Sequence, residues 1–406
     1  MSESTDLIFA GLKVLDVGTW IAGPVSTTIL ADFGASVIKV ESPGLGDPYR
    51  QLAGYPLSPQ SPINYCWVAD GRNKRSITLN LRSREGRDIL MRLVADCDVY
   101  VTNQPFPTRR ALNLQYEDLA PLNERLIYAS LTAYGETGPD AELEGFDGVA
   151  WWARSGLMDL VRAPGATPGM SVPGMGDHPT AVTLYAAIVT ALLRRERTGK
   201  GGRVHTSLLA NGVWANTCLA QAALVEAVVP QRDDGTRVPI SPNRTLFETA
   251  DGRLLQLYMV RTMAELDALI IAAGRTDLLA DPRFAEYESR PANAPALIAE
   301  LRATFRRRTA AEWLAIFRPA NVPVTLVAEM QDLLHDEQLR VTNVVVPPTD
   351  PSVPAAFIVN HPINIEGLAQ VGPRHAPEVG EHTAEVLGEL GFSVAEIAGL
   401  RASGAI

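Results

Sequence analysis

The 406-residue sequence has few cysteines and few histidines, and their spacing argues against several kinds of site. Its three cysteines, Cys66, Cys97 and Cys218, lie far apart and form no CxxC pair, which argues against a disulfide scaffold and against a zinc site. The six histidines form no HExxH or HxH group, so we expect no metal. Scattered cysteines are typical of a protein from a reducing cytoplasm.

Long apolar runs and an excess of positive charge are also missing. No stretch approaches the roughly 18 apolar residues of a membrane span, and the acidic start MSESTD does not resemble a signal peptide. The formal net charge is -10, which argues against nucleic acid or an anionic membrane as the main partner. We therefore expect a cytoplasmic protein with no nucleic-acid and no membrane partner.

Common nucleotide-binding and hydrolase motifs are absent. The turn DVGTWIAGP has Gly18 and Gly23 at a spacing that does not fit the GxGxxG of dinucleotide-binding folds. The stretch RERTGKGGR is not a phosphate-binding P-loop, and no GxSxG elbow of a serine hydrolase occurs. These absences disfavour a dehydrogenase, a P-loop enzyme and a serine hydrolase.

Strand-like and helix-like segments alternate over the first 135 residues or so. Helices are predicted over Ile21–Phe33 and from Ser83 to about Asp96. Short apolar runs typical of buried strands lie between and after them: LKVLDVG, SVIKVE, RSITLNL, CDVYVTN and LIYASLTAYG. Strands separated by helices indicate a parallel sheet with right-handed crossovers. The fold class is therefore α/β, with a large Rossmann-like domain.

The rest of the chain predicts a second, smaller domain. We assign residues 1–225 to the first part of the large domain and 226–330 to a small α+β domain with its linkers. Two long helices are predicted in the large domain, one after PGMGD and one from about Leu208 to Val228. The polar stretch VVPQRDDGTRVPISPNR, which begins at Val228, is interpreted as a crossing linker.

The stretch PGMGD places Asp177 at the start of the first of these helices. Asp is a favoured N-cap, which is one explanation. The other is chemical, because a helix N-terminus keeps a carboxylate ionised and its unpaired amides can stabilise an oxyanion. Gly174 and Gly176 would let a bulky substrate approach, and the carboxylate could attack an activated acyl group. Both explanations remain open.

Six segments, taken in order, resemble the class III coenzyme A-transferase family, also called the CaiB/BaiF family. They are GLKVLDVGTWIAGPVSTTILADFGASVIKVESPGLGDPYR, GRNKRSITLNL, LIYASLTAYGETGP, GFDGVAWWARSGLM, GMGDHPTAVTLYAAIVTALLRRERTGKGGRV and GEHTAEVLGELGFSVAEI. The resemblance spans nearly the whole chain. It implies an interlocked homodimer, and it implies that residues 331–406 return to complete the large domain.

The resemblance also implies a mechanism. Asp177 matches the family's catalytic aspartate, which attacks an acyl-CoA thioester to form a mixed anhydride and free CoA thiolate. The thiolate then attacks the anhydride, releases the first acid and leaves an aspartyl-CoA thioester, and an incoming carboxylate reverses the sequence. Thiolate is a competent leaving group because its pKa is low. CoA enters as part of the acyl-CoA substrate, and no metal is implied.

Further positions match CoA or substrate contacts of the family. TNQPFP stands where family members often have ENFRPG, and Ala111 replaces a contact arginine beside Arg110. The implied substrate- and CoA-binding residues are Ile21, Lys74, Arg75, Arg82, Asn103, Arg110, Tyr134, Gly174 and Gly176.

Two departures bear on the reaction. Ile21 stands where the formyl-CoA transferases have glutamine, so we expect a larger or less polar acyl group, such as a branched or unsaturated dicarboxylic acid. Phe146 stands where the related 2-methylacyl-CoA racemases have a catalytic histidine, so transferase is favoured over racemase. An acyl-CoA racemase, an intramolecular CoA-transferring isomerase and a non-catalytic CoA-ester-binding protein remain alternatives.

Overall fold

A computed structural model of the chain describes residues 7–162, 165–228, 245–257, 260 and 262–406. The chain divides into two compact units, one formed by Met1–Ala227 with Gln338–Ile406 and the other by Val228–Glu337. The segment interpreted as a crossing linker lies outside the described residues, apart from Val228. Within the described ranges, no helix is both long and apolar enough to cross a membrane.

A six-stranded sheet forms the centre of the first unit. Every neighbouring pair of its strands is parallel, and the spatial order is 3-2-1-4-5-6, the order of the Rossmann fold. The strands are β1 (Lys13–Asp16), β2 (Ser36–Glu41), β3 (Arg75–Thr78), β4 (Val99–Thr102), β5 (Ile127–Thr132) and β6 (Gly202–Ser207). The predicted α/β class with a parallel sheet is therefore confirmed.

Helices cover both faces of this sheet and fill two apolar clusters. One of them, α1, is buried along its entire length and packs against α7. The helices that lie wholly or mainly in the first unit are α1 (Ala22–Asp32), α2 (Tyr65–Asp70), α3 (Arg84–Asp96), α4 (Phe106–Leu112), α5 (Tyr116–Leu119), α6 (Leu157–Leu160), α7 (Asp177–Thr198), α8 (Leu208–Ala215), α9 (Thr217–Leu224), α14 (Glu337–Val341), α15 (Thr383–Glu389) and α16 (Val394–Ala402).

Two local features differ from the sequence expectations. The single helix predicted from about Leu208 to Val228 is two helices, α8 and α9, which meet at Asn216. The aromatic stretch before α7 contains a π-helical turn over Gly148–Ala153, whose Trp151 and Trp152 rings stack in the core. Such turns are rare and occur frequently at functional sites.

The second unit is built from a three-stranded antiparallel sheet and a helical layer. Its strands are β7 (Leu246–Glu248), β8 (Leu254–Gln256) and β9 (Thr325–Leu326). Its helices are α10 (Met263–Ala272), α11 (Asp277–Ala280), α12 (Ala294–Phe305) and α13 (Ala310–Phe317). The rings of Phe305, Trp313 and Phe317 pack against one another in its core. In the first unit, β10 (Val345–Val346) and β11 (Ile358–Val359) form a separate antiparallel pair.

Candidate active site

Asp177 is the first residue of α7 and is not its cap. The capping residue is Gly176, and no side chain makes a capping hydrogen bond there. The N-cap interpretation of Asp177 is therefore wrong. The Asp177 side chain is partly buried. Within the described residues, the shift of its pKa is caused by burial and by neighbouring charges, and no hydrogen bond contributes to it.

The backbone amides at the start of α7 already have partners. The N–H of His178 donates to the carbonyl of Gly174, and that of Thr180 donates to the carbonyl of Gly176, both at 3.2 Å. The residue between these two donors is a proline, which has no N–H. Most of the amides that we expected to be unpaired therefore already donate hydrogen bonds to backbone carbonyls. For this reason the start of the helix stabilises the negative charge of Asp177 only weakly.

A second carboxylate, Asp147, fixes the turn that precedes α7. It is buried, and it accepts hydrogen bonds from the N–H groups of Gly148 at 2.8 Å and of Gly176 at 3.0 Å. These bonds tie the π-helical turn to the glycine turn. They also place a second negative charge close enough to Asp177 to disfavour its ionisation.

His178 lies between two acceptors. Its Nδ1 is 3.0 Å from the carbonyl oxygen of Gly174, and its Nε2 is 3.3 Å from the carboxylate of Asp70 at the end of α2. The hydroxyl of Tyr49 donates to the same carboxylate. A carbonyl and a carboxylate only accept hydrogen bonds, so the form of the ring that satisfies both is the imidazolium, with both nitrogens protonated.

These surroundings shift the pKa values of both neighbours. Burial raises the pKa of Asp177 to about 7, with the charges of Asp147 and Asp70 acting in the same direction and His178 acting against them. Burial lowers the pKa of His178, but its hydrogen bond to Asp70 and that carboxylate's charge outweigh burial and raise it to about 9. Near neutral pH the site therefore combines a cation with a carboxylate that is about half ionised.

Asp177 opens onto a cavity of about 310 Å³ at the carboxyl ends of β1, β4 and β5. In a doubly wound sheet, ligands bind at this edge. The apolar wall of the cavity is formed by Trp20, Ala22, Phe106, Leu131, Ala133, Leu143, Phe146 and Leu208. The acids along it are Glu142, Glu144 and Asp177, and no described residue that lines it is basic.

A second cavity, of about 420 Å³, adjoins the first. The two cavities share Gln104 and Thr108 as lining residues. Arg82 and Asn80 line the second cavity, and the Arg82 side chain takes part in none of the ion pairs formed within the described ranges. An elongated ligand with a negatively charged end could therefore extend from Asp177 towards Arg82.

The loop after β1 is held rigidly beside Asp177. Asn103 accepts a hydrogen bond from the N–H of Thr19 at 2.8 Å and donates to its carbonyl at 2.7 Å. Lys39, which is buried, donates to the carbonyl of Gly18 at 2.6 Å. Trp20 has a φ of 64°, which is strained for a bulky residue and typical of functional sites. Its ring meets Phe146 edge to face at 5.3 Å.

Two of the predicted CoA-binding cations are engaged elsewhere. Lys74 is buried and bonds to Asp16 at 3.0 Å and to the carbonyl of Pro24 at 2.7 Å. Arg75 lies at the amino end of β3, the sheet edge opposite Asp177, and pairs with two glutamates of α15. The prediction of these residues as CoA contacts is corrected: one supports the core, and the other attaches the returning segment to β3.

Other predicted residues lie around the site with structural tasks of their own. Ile21 is buried next to Gly174, whose φ is +79° and where a Cβ would lie 2.9 Å from the His178 ring. At Gly176 a Cβ would lie 2.5 Å from the indole of Trp151. Both glycines therefore make room for the protein's own side chains, and their contact with substrate remains a prediction.

The two remaining positions flank the cavity wall. Arg110 pairs with Glu142 at 2.6 Å, and both side chains are exposed. The guanidinium carbon of Arg154 lies over the Tyr134 ring, 4.9 Å from the ring centroid. A Cβ at Gly145 would lie 2.9 Å from the Tyr134 hydroxyl.

The analysis of the sequence missed Asp70, Asp147 and Tyr49 as parts of the site. Asp70 lies 108 positions before His178, and Asp147 lies 29 positions before Gly176. Of these three residues, only Asp147 could have been suspected from the sequence, because it is the last residue of the Gly-Phe-Asp triplet that stands where the racemases have their histidine motif. No sequence pattern links His178 to Asp70.

Comparison with known proteins identifies the class of enzyme to which the chain belongs. The model of CoA-transferase family III matches residues 9–383. The chain therefore belongs to CoA-transferase family III, which confirms the resemblance seen in the sequence. It is a class III CoA-transferase, which moves CoA between an acyl-CoA and a carboxylic acid. This assignment favours the transferase prediction over the racemase and the non-catalytic alternatives.

Individual relatives match over almost their whole length. Cinnamoyl-CoA:phenyllactate CoA-transferase of Clostridium sporogenes is 32% identical over 97% of this chain and 96% of its own. Succinyl-CoA:glutarate CoA-transferase of Mus musculus is 30% identical over 94% of this chain and 86% of its own. The crystal structure of a CaiB/BaiF family protein from Brucella suis superposes with a TM-score of 0.83, at 30% identity, over 95% of this chain and 100% of that one.

Proposed function

We propose that CoA transfer proceeds through covalent intermediates on Asp177. Three carboxylates lie near the start of α7, and two of them accept hydrogen bonds from neighbouring groups. Asp147 accepts two backbone N–H groups, and Asp70 accepts the Tyr49 hydroxyl and the His178 ring. The carboxylate of Asp177 lines the cavity and has no such partner in the described structure. This difference carries the proposal, because a nucleophile must have an accessible lone pair.

The chemistry balances without an external proton. A carboxylate oxygen of Asp177 attacks the thioester carbon and expels CoA thiolate, which gives a mixed anhydride. The thiolate attacks the Asp177 carbonyl of the anhydride and releases the donor acid as a carboxylate. The acceptor carboxylate attacks the carbonyl of the resulting aspartyl-CoA thioester and expels CoA thiolate, which gives a second mixed anhydride. The thiolate then attacks the acceptor carbonyl of this anhydride, forms the product acyl-CoA and releases Asp177 as the leaving group. Asp177 then regains its carboxylate.

The two adjoining cavities support the placement of CoA. The thioester would lie beside Asp177, the pantetheine arm would follow the apolar wall past Gln104 and Thr108, and the phosphates would lie near Arg82. A guanidinium is well suited to a phosphate because it donates in a planar fork. Arg110 is less suitable as a contact, since Glu142 already neutralises it.

The acyl group that fits the cavity best is apolar and carries a single carboxyl function. Trp20 and Phe146 form an aromatic corner close to Asp177, in agreement with the expectation of a less polar acyl group. A dicarboxylic acyl group would need a cation for its second carboxylate. The described lining supplies Glu142 and Glu144 instead, so the dicarboxylic expectation is not retained. The named substrates of relatives include both kinds of acid.

We also propose a cytoplasmic homodimer. In support, several large apolar side chains of α8, α9 and the residue that follows are solvent-exposed in the single chain, a pattern typical of interaction surfaces. They are Val213, Trp214, Leu219, Leu224 and Val225. Sedimentation velocity would detect the dimer, and Trp214→Asp should shift it towards monomer. A monomeric wild-type chain would remove the proposal.

Trapping the intermediate tests the mechanism directly. The protein is incubated with a panel of acyl-CoA thioesters, and its mass is measured before and after hydroxylamine, which cleaves anhydrides and thioesters. Peptide mapping should place the hydroxamate on Asp177. Asp177→Asn should give no adduct, whereas the matched variant Asp140→Asn, at a surface ion pair with Arg154, should give the wild-type adduct. An adduct mapped to any other residue would contradict the proposal.

A further inference from the structure

We propose that His178 is a positioning residue of the transfer reaction. Its imidazolium, held between Asp70 and the Gly174 carbonyl, fixes the turn before α7 and keeps a positive charge beside the Asp177 carboxylate. This inference rests on the proposed function of Asp177, and it adds a residue to that site.

The geometry gives His178 one fixed orientation. The Nδ1–H bond to the Gly174 carbonyl, at 3.0 Å, closes the ring over the glycine turn, where a side chain on residue 174 would clash with it. The Nε2–H points to Asp70, whose carboxylate is oriented in turn by the Tyr49 hydroxyl. Tyr49 and Asp70 are both largely buried, so this chain of contacts is anchored in the core.

The fixed orientation matters because it keeps the positive charge of the His178 ring close to the Asp177 carboxylate. The groups that face Asp177 are Asp147 from the loop before the π-helical turn, Asp70 from α2 and His178 from α7. Behind Asp70 lie the Tyr49 hydroxyl and the guanidinium of Arg72. Among these direct neighbours, His178 alone favours the charged form of Asp177. Without it, two carboxylates and burial would act on the nucleophile unopposed.

The imidazolium acts by its charge rather than by moving a proton. Both of its N–H groups are already donated, and its pKa of about 9 keeps it protonated at neutral pH. The two middle steps bring first the CoA thiolate and then the acceptor carboxylate to the Asp177 carbon, and a cation held in place beside that carbon stabilises the negative charge of each without reorganisation. A group that must stay charged is well served by a buried partner such as Asp70.

The test compares His178→Gln with His178→Lys, which restores the charge without the ring. Adduct formation on Asp177 is followed by quenched mass spectrometry at saturating acyl-CoA between pH 5.5 and 9. The wild-type rate should rise with pH around pH 7. In His178→Gln the midpoint should move up by about one pH unit, so that the rate at pH 6 falls roughly tenfold. His178→Lys should recover most of this shift, and the exposed His205→Gln should match the wild type.

Asp70→Asn provides an independent variant that keeps the histidine. Without the carboxylate, His178 should lose its proton near its ordinary pKa, so above about pH 7 the adduct rate should follow the later rise of His178→Gln rather than the wild-type profile. Equal loss at every pH in His178→Gln, with no recovery in His178→Lys, would overturn the role of charge. A wild-type adduct that does not map to Asp177 would instead refute the proposed function, so the two failures are distinguishable.

Discussion

Replacing Asp177, the proposed nucleophile, should make the protein more stable, by an amount that grows as the pH rises from about 4 to 7. The pKa of Asp177 is raised from 3.8 to about 7, chiefly by burial and by the charge of Asp147. The folded chain therefore binds a proton between pH 4 and 7 that the unfolded chain has lost. Its free energy of unfolding falls as the pH rises through this window and levels off above it. Asp177→Asn removes this penalty while keeping the size of the side chain.

The displacement of the pKa sets the size of the effect. At 1.36 kcal/mol per pH unit, it corresponds to at most about 4 kcal/mol above pH 7. Because the carboxylate is partly accessible to solvent, we expect about half of this, ~2 kcal/mol. The advantage of Asp177→Asn over the wild type should be absent near pH 4, partial at pH 5.5 and full at pH 8.

Calorimetric melting of both proteins at pH 4.5, 5.5, 6.5 and 8 measures this difference. The variant should melt a few degrees higher at pH 8, and the gap should shrink steadily as the pH falls. Asp88→Asn, which removes an exposed carboxylate on α3, serves as the control and should show no growing gap. If the difference in melting temperature between Asp177→Asn and the wild type were the same at every pH, or if the variant melted at a lower temperature than the wild type at pH 8, the electrostatic account of the site would be refuted.

Four further substitutions, one of them a control, test other parts of the structure. Gly176→Ala drives a Cβ to 2.5 Å from the indole of Trp151, so adduct formation should fall at least tenfold and melting should occur earlier, whereas Gly399→Ala, in an open position of α16, should stabilise by about 0.5 kcal/mol. Arg82→Ala should raise the KM for acyl-CoA about tenfold with little change in kcat, and this loss should shrink at high salt. Lys74→Met leaves Asp16 with one fewer counter-ion and should destabilise by about 3 kcal/mol, measured by urea unfolding, without a specific rise in KM.

The parallel sheet could be predicted because its inner strands are buried on both faces. Such strands appear as short, nearly continuous apolar runs, as in β1 and β5. The edge strand β6 was not predicted, since its side chains alternate between exposed and half-buried and it begins with Gly-Arg. The break between α8 and α9 was missed for another reason: no proline or glycine marks Asn216, and helix propensity alone does not end a helix there.

The position of Asp177 at the start of a long helix could be predicted, but its environment could not. Asp177 follows a glycine turn and starts a long helix, so its position is encoded by its immediate neighbours. Asp70 reaches His178 from 108 residues away, and such a meeting depends on tertiary packing. The expectation that the helix start would keep Asp177 ionised failed because the amides there bond to nearby carbonyls and to Asp147.

The crowding of negative charge around Asp177 has a consequence for the reaction. An ionised Asp177 is opposed by burial and by Asp147, and only His178 offsets them. In the proposed mechanism the carboxylate becomes an anhydride or a thioester, so its charge disappears and the repulsion disappears with it. The free energy that makes Asp177→Asn more stable is thus a ground-state penalty that covalent acylation relieves. A site that merely bound CoA esters would gain nothing from keeping an unpaired, partly buried carboxylate, whereas a site that acylates its own aspartate gains reactivity from it.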